Sequence, residues 1–171
     1  MSIRKPNQKG FSLLEVLIAV VVVSVGFLAT ARMQVEGLRS SQNAYFLSQA
    51  TLMMRDMADR MRANPEGIAN GNYRNIATAE GNTLWPGCME AETVCTAIEI
   101  SQTDLASWNR YLHPGPNSVN FRPSLPSSDG IEARGVVSYE AGTNTYTVSV
   151  FWSEAIEGTD TEQVISMKVF P

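Results

Sequence analysis

A basic, mostly polar stretch occupies positions 1–10, and an apolar run then extends from Phe11 to Ala31 with Glu15 as its only charge. A helix over residues 11–31 rises by roughly 30 Å, the thickness of one hydrocarbon core. The pattern loosens through Met33, Val35, Leu38, Tyr45 and Leu47, then tightens. Ala50, Met53, Met54, Met57, Ala58 and Met61 recur at spacings of three and four, which marks one face of a helix. Arg55, Asp56, Asp59, Arg60 and Arg62 mostly take the other face, with Asp56 and Arg60 as an i,i+4 pair. Asn64-Pro65 ends the pattern, because the residue before a proline is disfavoured in helix. One helix over residues 11–63 is therefore predicted, about 80 Å long. Its first half is apolar all round and its second half amphipathic. No proline interrupts it, and Gly26 and Gly37 are its weak points.

Beyond Pro65 the periodicity fades. Residues 66–103, rich in Gly, Asn, Thr and Ala, read as a long irregular region with turn signals at Asn70-Gly71 and Gly81-Asn82. Asp104–Leu112 reads as a short helix capped by Thr103 or Asp104, with Leu105, Trp108 and Leu112 on one face. The last third alternates with the period of strands. Residues 135–140, 145–153 and 162–170 are predicted to be antiparallel, with a hairpin turn at Ala141–Asn144 and a looser one at Ile156–Thr161. A sheet of three to four strands cannot cover its own apolar face. The methionine stripe is the partner it needs, so the fold class is α+β, a long N-terminal helix packed on a small antiparallel sheet.

Composition narrows what such a chain does. Its 171 residues suffice for one domain with a modest core. Charged residues are 18%, and the net charge of −4 becomes −7 without Arg4, Lys5 and Lys9. That acidity argues against direct nucleic-acid binding. No H-E-x-x-H, P-loop or G-x-S-x-G motif is present, and His113, the only histidine, precedes Pro114-Gly115-Pro116 at the start of a loop. The chain is therefore read as no enzyme, with no cofactor and no metal site. Cys88 and Cys95, with six residues between them, favour a disulfide if the chain is exported. Closing so short a loop is worth about 2.5 kcal/mol in the loop-entropy picture. Two free thiols are the alternative, and a metal site lacks further ligands.

The basic residues precede the apolar run, which places residues 1–10 in the cytoplasm and the bulk of the chain across the membrane. Three readings fit this N-terminus. A secretory signal peptide has support from Ala29-Thr30-Ala31 as an A-x-A cleavage site, but Glu15 suits it poorly. A simple anchor treats Glu15 as incidental. In the third, a short leader ends at Gly10, the Gly10–Phe11 bond is cut on the cytoplasmic side, and the apolar segment stays on the mature protein. An acid in the bilayer costs about 2.5–3.5 kcal/mol near the centre and less at the edge. Pairing Glu15 with the freed Phe11 amine of a neighbouring subunit would remove that cost.

Lys9-Gly10-Phe11-Ser12-Leu13-Leu14-Glu15-Val16-Leu17 resembles the class III signal of type IV pilins and type II secretion pseudopilins. The resemblance implies a pilin-like fold, cleavage between Gly10 and Phe11 by a prepilin peptidase, N-methylation of Phe11, and Glu15 as an assembly contact. Ser40–Tyr45, Gln49-Ala50-Thr51 and Asp56–Pro65 are similar to PilV-like minor pilins, known as type IV pilus modification proteins. It further implies a leader at 1–10, a transmembrane and assembly half-helix at 11–31, an amphipathic half at 32–64 and a globular head at 65–171. The expected function is that of a minor pilin which primes pilus assembly and so serves twitching motility, adhesion or DNA uptake. The expected partners are other minor pilins, the major pilin, the prepilin peptidase and the inner-membrane assembly machinery. The chain would sit in the inner membrane with its head in the periplasm, then in the pilus. A minor pseudopilin of type II secretion and an exported domain on a simple anchor are the alternatives.

Overall fold

Helix α1 runs without a break over Leu13–Ala63 in the computed structural model, which describes residues 10–79, 94–114, 120–156 and 158–170. Contacts divide the chain into Met1–Gln42 and Asn43–Pro171, with the boundary inside α1. In the first unit every described side chain is exposed. Its stretch of α1 is long and apolar enough to cross a membrane, with a mean hydropathy of 2.5 over its most apolar window.

The second unit holds the core. Its elements follow in the order α1, α2 (Pro65–Ala69), β1 (Ile76–Ala77), α3 (Ala97–Asn109), β2 (Arg134–Glu140), β3 (Thr145–Ile156) and β4 (Thr159–Val169). The four strands form an antiparallel sheet in the order β1-β2-β3-β4. Period-two alternation puts Tyr146, Val148, Val150 and Trp152 on one face of β3, and all four are buried. They share one core with Met53, Met54, Met57 and Met61 of α1, so the methionine stripe does cover the sheet. Flexible thioether chains fill gaps between a helix and aromatic strand residues well.

Three features depart from the sequence reading. First, Asn64-Pro65 ends α1 but at once begins α2. Pro65 occupies the first helical position, where its missing N–H costs nothing, and the Asn64 side chain accepts from the Gly67 N–H at 3.0 Å. Second, the region expected to be irregular holds β1 and the first turns of α3. Helix α3 starts at Ala97, seven residues before the expected position, and Thr96 caps it rather than Thr103 or Asp104. Asp104 is instead buried in mid-helix. Third, the β3–β4 hairpin is tight. Pairing continues to Ile156 opposite Thr159, and Gly158 takes a φ of +83°, a conformation that glycine adopts without strain.

Trp108 of α3 is fully buried and lies against Gly135 at the start of β2. A Cβ at Gly135 would stand 2.5 Å from the indole ring, so only glycine permits this approach. Leu112 is buried and Leu105 packs partly against the same core, as their shared spacing predicted.

Candidate functional site

Gly10, Phe11 and Ser12 precede the helix, and Ser12 starts it. The Ser12 hydroxyl accepts the Leu14 N–H at 3.3 Å, and its carbonyl accepts the N–H groups of Glu15 at 3.0 Å and Val16 at 3.3 Å. Glu15 is thus the third helical residue after a serine cap. Ser-x-x-Glu is the spacing of a capping box, and an acid in the first turn complements the helix dipole. Sequence reasoning overlooked Ser12, although a serine three residues before a glutamate at the head of an apolar run was the signal.

Phe11 is 83% exposed, and an added methyl on Gly10 meets no atom of the chain. Packing among the described residues therefore places no demand on either residue. Phe11, just before α1, and Glu15, Ala19, Val23 and Phe27 along it share one open, largely apolar face. Other polar groups near it are already satisfied: the Ser24 hydroxyl donates to the Val20 carbonyl at 2.7 Å, and Thr30 donates to Phe27 at 2.9 Å. Among the described residues, no basic side chain pairs with Glu15. The arrangement suits recognition by a second apolar surface that carries a cation level with Glu15.

The head presents buried polar clusters. Tyr73 donates to Asp104 at 2.6 Å, Arg60 reaches Asp104 at 3.4 Å and Asp56 at 2.9 Å, and Asn64 donates to Tyr73 at 3.0 Å and to the Ala97 carbonyl at 2.8 Å. Burial, reinforced by the bond to Asp104, pushes the Tyr73 phenol well above its ordinary value. Burial lowers the Arg60 guanidinium, but the bonds and charges of Asp56 and Asp104 outweigh it, and the net shift is upward. This network joins the end of α1, the turns around α2, and α3. His113 is buried, with Nε2 3.2 Å from the Thr78 hydroxyl and Nδ1 3.3 Å from a Glu132 carboxylate oxygen. Among the described residues no group of three or more His, Cys, Asp or Glu is placed to hold a metal. Cys95 directly precedes the Thr96 cap of α3, whereas Cys88 lies outside the described residues.

Two family models match adjoining stretches of the chain. The prokaryotic N-terminal methylation motif covers residues 5–31, and Type IV pilin Tt1218 covers residues 32–106. Their junction falls within α1, and together they support a type IV pilin. No curated protein and no solved structure matches the chain.

Proposed function

We propose that this chain is a type IV pilin that works as a minor, PilV-like subunit, cleaved between Gly10 and Phe11, methylated on the Phe11 amine, and docked through Glu15. One observation carries the reading. Glu15 begins an apolar helix face with no basic partner among the described residues, inside a stretch that matches the methylation motif. Cleavage creates a cation one helical turn away, at Phe11, and a neighbouring copy presents the same cation. The minor, PilV-like assignment rests on the resemblance of residues 40–65. It brings with it the priming of pilus assembly with other minor pilins, the major pilin and the inner-membrane machinery. On this reading the head faces the periplasm before assembly, and Cys88 and Cys95 form a disulfide there.

The capping geometry supplies a rival role for Glu15, and two substitutions separate them. Glutamine also serves at the third position of a capping box, but it carries no charge. Glu15→Gln and Glu15→Ala should both be cleaved normally and both fail to enter pili. If Glu15→Gln assembles as the wild type does, Glu15 is a capping residue and the docking role is wrong. Mass analysis of the mature N-terminus should show N-methyl-Phe11; a start at Arg32 would mean a conventional signal peptide. Deleting the gene should remove surface pili. Loss of exoprotein secretion with normal pili would instead favour a type II secretion pseudopilin. For the disulfide, thiol alkylation should label Cys88 and Cys95 only after reduction.

A further inference from the structure

Among the described residues, the sheet leaves one long edge open. β4 pairs with β3 over its whole length, Thr159–Val169, and among the described residues no other backbone group bonds to it. The opposite edge strand, β1, is only two residues long. β4 contains no proline, and its charges are confined to Asp160, Glu162 and Lys168 near its two ends. Its apolar residues are incompletely covered on both faces. Ile165 and Met167 are only partly buried at the margin of the core, and Val164 on the other face is 52% exposed. Such an edge is a template for strand addition.

Charge states what fits it. Asp160 and Glu162 lie near the start of β4, and Lys168 is next to its end; the Glu162 carboxylate also accepts from Arg134 of β2 at 2.7 Å, and Asp160 has no such partner among the ion pairs of the described residues. Paired in parallel and in register with itself, the strand would set like charges side by side. Paired antiparallel, it sets Lys168 against an acid at both ends. We propose that β4 pairs antiparallel with β4 of a second copy, about a twofold axis through Ile165, and joins two heads in one eight-stranded sheet. In this register Glu162 faces Lys168, Ile165 faces itself, and Val164 faces Ser166. Centring on Val164 keeps the match, because Lys168 then faces Asp160. A slip by one residue would turn inward the side chains that belong outside, so only alternate registers compete.

The axis stands normal to the sheet and reverses the direction of the partner chain, the Asn43–Ala63 stretch of α1 included.

Sedimentation equilibrium of the full chain in detergent micelles tests the pairing without requiring cleavage or a pilus, so it fails or succeeds independently of the proposed function. The wild type should form a reversible dimer. Lys168→Glu sets acids against acids at both ends and should weaken that dimer about tenfold or more. A second variant, Asp160→Lys with Glu162→Lys, should weaken it likewise. Mixing the two variants restores opposite charges at both ends and should restore the dimer. A wild-type monomer at all concentrations, a Lys168→Glu dimer as tight as the wild type, or a mixture that stays monomeric would each overturn the proposal.

Discussion

Tyr73 and Gly135 show how single residues set the head. Tyr73 is fully buried and donates a hydrogen bond to the Asp104 carboxylate. Tyr73→Phe leaves that acid short of one donor and is expected to cost about 1–3 kcal/mol, read as a lower urea midpoint at neutral pH. Because its folded pKa is raised, Tyr73 contributes stability that is complete below the unfolded value of about 10 and is lost as pH rises through the folded one. The gap between wild type and Tyr73→Phe should therefore narrow above about pH 10. At Gly135 the added methyl of alanine would meet the Trp108 indole at 2.5 Å. Gly135→Ala should destabilise by about 1–3 kcal/mol, and its tryptophan near-UV dichroism should change as the ring is displaced.

At the scale of elements, α3 depends on its first turn. The Glu99 carboxylate accepts the Thr96 backbone N–H at 2.8 Å and the Thr96 hydroxyl at 2.7 Å. These bonds, the backbone one foremost, hold its pKa below the ordinary carboxylate range. The contribution is present above the unfolded pKa and lost as pH falls through the folded one. Thermal melts should show the advantage of wild type over Glu99→Gln shrinking in acid. In α1, the buried and exposed faces should respond unequally. Met57→Ala empties part of the core and should cost about 2–5 kcal/mol, whereas Leu52→Ala, at a 59% exposed position, should change the melting temperature little. Gly26 and Gly37 have open space where a Cβ would stand. Alanine at either should strengthen the isolated helix by about 0.5–1 kcal/mol, visible as greater helicity on heating in detergent.

For the whole molecule, the sequence by itself determined the elements whose signal is periodic or chemically exclusive. The 3-and-4 methionine spacing and the period-two run from Tyr146 to Trp152 each repeat often enough to specify a face, and those two faces meet in one core. The charge-free run after Glu15 and the break at Asn64-Pro65 set the extent of α1. What only the tertiary structure decided lies where the chain has too few repeats to show a period. α2 is one short turn, β1 is two residues, and the first turns of α3 carry Ile98 and Ile100 exposed, so polarity there does not mark an inner face. The Thr96–Glu99 box was legible but lay in a stretch too rich in turn formers to stand out. Ser12 was hidden for the opposite reason, since the apolar run beside it dominated the pattern. Long-range pairs were beyond any local reading: Tyr73 with Asp104, Trp108 over Gly135, and His113 with Glu132 join residues that only folding brings together. Sequence periodicity reports which side of an element is apolar; it carries no information on which buried polar groups satisfy one another.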